Sequence, residues 1–222
     1  MAILSSVTIL AGFANTYGPK VVSGVPVLPT ILHLHAAVFT AWLAVFVTQT
    51  TLVLKGRTAV HRRLGVAAVA LAALMLPLGM ATAITAARLG HRGIPGLEFS
   101  EPAGFLLLNC AAIGVFAVLV GAGWYFRRDP QTHKRLMLMA TLGGLVGPGV
   151  SRLPFVDGRQ PVIAGVTLAF LFAGPVYDLV TRRRVHLAYV AGVALALTTV
   201  PPLVAQLAST EAWRGIAAWL LR

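Results

Sequence analysis

His33 and His35 stand two residues apart at the head of a long apolar run that opens with Pro29. On a helix that spacing points them to nearly opposite sides, so one ligand cannot take both without distortion. His35 shares a helix face with Phe39, Trp42, Phe46 and Gln49. At 1.5 Å per residue it lies roughly 9 Å in from the end of the run. Asn109, in a later run, is expected at a similar depth, and Asn15, Tyr17 and Arg152 close two other runs on the same side. His35, Trp42, Gln49, Asn109 and Arg152 thus outline a candidate cofactor pocket. A neutral imidazole there could ligate haem iron or another metal, which makes His35 the candidate metal ligand. It could equally hydrogen-bond a quinone carbonyl or relay protons. The bland alternative is a hydrogen bond from His35 to Asn109, Tyr17 or a carbonyl. His33 reads as an interfacial side chain. A bis-histidine haem between two helices is disfavoured, because His61, His133 and His186 sit at the edges of runs and His91 in a loop.

A second polar set lies at the other end. Asp178 is the acid set well inside an apolar run, with Arg182 one turn later and His186 one turn beyond that. His61 and His133 open neighbouring runs at the same level. An Asp–His pair could move protons or fix a ligating tautomer. The competing expectation for the cluster His61, His133, Asp178, Arg182 and His186 is an electrostatic latch that locks the helix ends. Cys110, inside an apolar run, reads as a small buried apolar residue, and a single cysteine forms no intrachain disulfide.

The elements that position these residues follow from composition. The chain is 58% hydrophobic and 11% charged, with a mean hydropathy of +0.84. A soluble domain carries roughly 25% charged residues. Apolar runs of the length found here span a hydrocarbon core of roughly 30 Å, and in lipid they must be helices. The runs are 2–17, 29–54, 66–88, 102–126, 136–152, 161–181 and 187–207. The fold class is therefore all-α, a polytopic membrane bundle of about seven transmembrane helices. Residues 1–208 form one transmembrane domain. Residues 209–222 form a short amphipathic interfacial helix, capped by Ser209 or Thr210 and anchored by Trp213 and Trp219. A continuation of the seventh span is the alternative for that segment. Pro77, Pro148, Pro175 and Pro201–Pro202 are expected to kink their helices, and Gly143 and Gly147 to let helices approach closely.

The net charge of +12 suggests nucleic acid at first sight, but its distribution does not. Eleven of the eighteen Lys and Arg lie in the loops after the second, fourth and sixth spans. That pattern is a topology signal, so these loops are expected on the cytoplasmic side, with the N-terminus inside and the C-terminus outside. The expected partners are the bilayer, including anionic lipids, and other membrane subunits, with no nucleic acid. No lysine lies in the sixth or seventh span, so a retinal Schiff base is excluded. Protease, ATPase and carboxylate-pump motifs are absent as well.

Taken as a set, GFANTYG (12–18), HLHAAVFTAWLAVFVTQTTLV (33–53), HRRLG (61–65), HKRLMLMAT (133–141) and YDLVTRRRVH (177–186) resemble a group of uncharacterised bacterial membrane proteins of about this length. The resemblance covers nearly the whole chain and includes His35, Trp42, Gln49, His61, His133, Asp178 and His186. It implies a helical bundle in the bacterial inner membrane and assigns no activity. Three functions stay open: a small redox or cofactor-binding protein built on His35 (haem, metal or quinone), a non-catalytic subunit or assembly factor of a larger membrane complex, and a proton or small-solute pathway.

Overall fold

A computed structural model describes residues 1–94, 97–156 and 158–222. The described chain is helical apart from one two-residue-per-strand hairpin. Four helices are long and apolar enough to cross a membrane: α2 (Thr30–Leu54), α3 (Thr58–Arg88), α4 (Pro102–Tyr125) and α7 (Gln160–Arg182). The pair α8 (Leu187–Leu197) and α9 (Pro201–Ala208) makes a fifth if counted as one span bent by 49°. The bend falls at Pro201–Pro202, where two missing N–H groups and the proline rings prevent one continuous helix. α1 (Ala2–Ser23) and α5 (Pro130–Thr141) do not reach that standard. α1 is diluted by Ser5, Ser6, Asn15 and Lys20, while α5 is short and starts among basic residues. After α5 the backbone widens into a π-helical turn over Leu142–Val146 and closes with α6 (Gly147–Val150).

Several boundaries move outward from the apolar runs. α1 continues past Tyr17 to Ser23 and ends on Gly24, whose φ of 68° is left-handed. α3 starts at Thr58 and α5 at Pro130, so HRRLG and HKRLM are helical and not loops. Arginine and lysine are good helix formers whose long stems keep the charge in water while the backbone stays helical. Helix starts carry recognisable devices: Pro102, Pro130 and Pro201 open α4, α5 and α9. Asp129 accepts the Gln131 N–H at 2.9 Å.

α2, α3, α4 and α5 pack as sequential neighbours, as their short links require, and α8 lies against α5. The core runs through Trp42, Met75, Phe116, Leu119, Met139 and Val146. α1 is held by α6 through bare backbone. A Cβ on Gly12 would collide with the Gly149 carbonyl oxygen, and one on Gly149 would lie 2.7 Å from the Ile9 Cα. Of the anticipated glycine step, Gly143 does lie close to Ala196 of α8.

At the opposite end from Asp178, β1 (Gly93–Ile94) pairs antiparallel with β2 (Leu97–Glu98). The terminal helix α10 (Glu211–Leu220) begins where expected, with the Thr210 hydroxyl accepting the Trp213 N–H at 3.3 Å. Trp213 does not serve as a free interfacial anchor. It packs with Leu220 against Ala83, Ala87 and Leu106, and its indole N–H donates to the Ala103 carbonyl at 2.9 Å. A buried tryptophan seeks a partner for its N–H, and a carbonyl has a second lone pair to accept it. Trp219 stays exposed.

Candidate functional site

The set around Asp178 is organised by Arg135, a residue that the sequence marks only as one of the loop cations that set topology. Arg135 sits in the second turn of α5 and is 2% exposed, as is Asp178 of α7. Its Nε donates to Asp178 Oδ2 at 2.8 Å and its Nη2 to Oδ1 at 2.6 Å. Nη1 donates to the carbonyl and the side-chain oxygen of Gln131, at 2.8 and 2.9 Å. The guanidinium also lies 5.4 Å from the centre of the Tyr189 ring. Tyr189 reaches it because Gly174 leaves α7 bare where the ring passes. This is a forked, two-bond ion pair with its remaining polarity absorbed locally. The expected Asp178–Arg182 pair is real but secondary: Arg182 Nε stands 3.5 Å from Oδ1 and its side chain is 45% exposed. Four residues of helical spacing bring Arg182 near, whereas the buried guanidinium takes the better geometry.

His61 and His133 come together as expected, with ring centres 6.1 Å apart. His133 is hydrogen-bonded at 2.7 Å through Nδ1 to the Gly123 carbonyl, which only accepts, so Nδ1 carries the proton. His186 does not join them in a proton chain. It caps α8, its Nδ1 accepting the Ala188 N–H at 3.2 Å. Asp178, Arg135, Arg182, Arg184, His186 and Gln131 instead line an open cleft of roughly 380 Å³.

The set around His35 is gathered at the ends of α1, α2 and α6. The Tyr17 hydroxyl hydrogen-bonds His33 Nδ1. Asn15 donates to the Arg152 carbonyl at 3.1 Å. The Arg152 guanidinium bonds the Pro148 carbonyl at 2.7 Å and lies 4.6 Å over the Phe13 ring. His35 stacks on Phe39 with centres 3.9 Å apart. Its Nδ1 is buried and has no partner among the described residues.

Three expected members of that pocket are elsewhere. Asn109 donates back to Phe105 of its own helix at 2.7 Å, so the His35–Asn109 bond is not made. Asn side chains satisfy themselves on the preceding turn when no partner faces them. Trp42 is a core post: its N–H donates to the Thr141 hydroxyl at 3.3 Å and its ring meets Phe116 edge-on at 5.1 Å. Gln49 shares the His35 face but not its depth, since fourteen residues of helix carry it roughly 21 Å away. It lies beside Gly65, one turn along α3 from His61. Gln49 Oε1 and His61 Nδ1 are also buried without partners among the described residues.

For metal chemistry, no three His, Cys, Asp or Glu side chains among the described residues come together as ligands. No family model matches the chain, and no curated protein or solved structure matches it either.

Proposed function

We propose that this chain is a multi-pass protein of a bacterial inner membrane, and that its outer polar layer binds a small carbonyl-bearing redox cofactor, a quinone, through His35. The count of seven crossings rests on adding α1, the broken helix at 130–150 and the bent α8–α9 pair to the four long helices. α1, with 22 residues, is ~33 Å long, enough for one crossing. The basic loops favour an inside N-terminus and an outside C-terminus.

The observation that carries the cofactor reading is the orphaned Nδ1 of His35 in an apolar bundle. Leaving a buried polar nitrogen unbonded costs about 1–3 kcal/mol, a cost that a ligand oxygen accepting or donating there would remove. Phe39 stacked on the imidazole offers a flat apolar wall, and Arg152, held by Pro148 and Phe13 in the same polar layer, brings a positive charge to that end of the bundle, which suits a carbonyl that gains electron density on reduction. Asp178, held by both nitrogens of the Arg135 fork, supports a latch at the inner end and speaks against a proton relay there.

The test is extraction of the purified protein with organic solvent, alongside its absorption spectrum. A quinone recovered near one per chain, and depleted in His35→Ala, is the expected outcome. A Soret band lost in the same variant would replace quinone by haem as the cofactor. A colourless preparation with only phospholipid in the extract overturns the reading.

A further inference from the structure

The inner cleft has features that a latch does not need. The Arg135–Asp178 pair forms its floor, already matched in charge and in hydrogen bonds. Above that floor Arg182 and Arg184 add two positive charges, and no further carboxylate lines the cleft. The nearest other acid, Asp129, is engaged as the cap of α5 by Gln131 N–H and the Thr132 hydroxyl. His186 Nδ1 accepts from the Ala188 amide, so in the neutral ring the proton sits on Nε2, which is left as a donor. The 11-residue helix α8 starts at Leu187, another lining residue, and directs its positive end to this place.

The backbone that forms the rim is strained. Arg183 adopts a left-handed φ of 58° at the end of α7, a position that usually belongs to glycine. That kink lets Arg182 and Arg184, on either side of it, both line the cleft. Strain of this kind costs roughly 1–3 kcal/mol and persists where the surrounding structure requires it.

We propose that this cleft is a binding site for a phosphate group, held by Arg182, Arg184 and His186 above the Arg135–Asp178 floor. Arginine forks match tetrahedral phosphate oxygens, and two of them beside an N–H donor meet several of its acceptors at once. The wall of the cleft has an apolar, open flank: Leu187 is 76% exposed and Val185 37%. A phospholipid headgroup would rest in the cleft with its chains along that flank, and a free phosphate would use the same donors without it. This site is independent of the outer cofactor layer, and its test does not touch His35.

The experiment uses the full chain in detergent, titrated with phosphatidic acid and with phosphatidylcholine by native mass spectrometry, and with inorganic phosphate by calorimetry. Arg184 is exposed and outside the Asp178 latch, so Arg184→Gln is expected to fold as the parent does. It should weaken phosphatidic acid or inorganic phosphate binding about tenfold. Arg63→Gln removes the same charge from an exposed site on α3 and should change binding by no more than about twofold. Phosphatidic acid retained against millimolar inorganic phosphate identifies a lipid headgroup, and its displacement identifies free phosphate as a competent occupant. Equal losses in the two variants would reduce the cleft to general surface charge and overturn the proposal. So would equal retention of the two lipids together with no inorganic phosphate binding.

Discussion

At the Asp178 end of the bundle, a buried carboxylate meets a guanidinium whose Nε, Nη1 and Nη2 all donate to Asp178 or Gln131. At the His35 end, an imidazole nitrogen of comparable burial meets no partner among the described residues. Both groups looked functional from their residue types. The contrast separates two uses of polarity in a low-dielectric interior. A fully satisfied network fixes how helices register against one another, whereas an unsatisfied atom is a standing cost unless something outside the chain satisfies it. The satisfied pair therefore reads as architecture, and the unsatisfied imidazole is where the proposed ligand belongs.

Substitutions break this comparison in opposite directions. Asp178→Asn strands the Arg135 charge in the core and should lower stability by about 3–5 kcal/mol, read from thermal unfolding in detergent. Replacing both partners by apolar residues of similar volume should recover most of that loss, because the stranded charge goes with them. A single and a double variant of equal stability would show that the pair is not the latch. His35→Leu should do the reverse in cofactor-free protein. It removes an unbonded nitrogen and should raise stability by about 1 kcal/mol while abolishing cofactor retention. A loss of several kcal/mol in that variant would mean the imidazole is bonded within the fold after all.

Smaller effects sharpen the picture at the inner rim. Arg183→Gly relieves a left-handed backbone and should stabilise the chain by up to about 1 kcal/mol, with unfolding temperature as the measure. The least effect is expected from Asp129, in the exposed link before α5. The Thr132 hydroxyl, then the Gln131 amide, hold its carboxyl below the ordinary value of 3.8. Its folded value is depressed, so its contribution is complete above that ordinary value and fades as pH falls through the lower folded one. Thr132→Ala should flatten that part of the acid unfolding profile, its small loss of stability appearing at neutral pH and vanishing below the folded value.

Much of this was legible in the residues, and the gaps have physical causes. All-helical architecture followed from apolar runs, and the α8–α9 bend from Pro201–Pro202. His61 beside His133, and the Thr210 cap, followed from helix starts that share a level or a local motif. Arg135 was missed as the partner of Asp178 because 43 residues separate them and no local pattern links the two. Its place in HKRLM made it look like a loop cation, until the helix proved to start five residues earlier, at Pro130. Gln49 was misplaced because helical periodicity reports the face of a helix and says nothing of depth unless the rise is also counted. Asn109 failed for a different reason: a polar side chain can close on its own helix, and no spacing rule forbids it. The seam between Gly12 and Gly149 was invisible, since one glycine among 22 carries no sign of what it touches.

That seam also bears on the order of assembly. Asn15 and its acceptor at Arg152 are 137 residues apart, so α1 leaves the ribosome long before the backbone that it grips exists. At the usual pace of synthesis the wait is on the order of ten seconds. During it, Ile9 and the bare flank of Gly12 have no α6 to cover them. The layer that holds Asn15 and Arg152 cannot take its final form until Arg152 arrives, so the proposed cofactor would be loaded only onto a nearly finished chain.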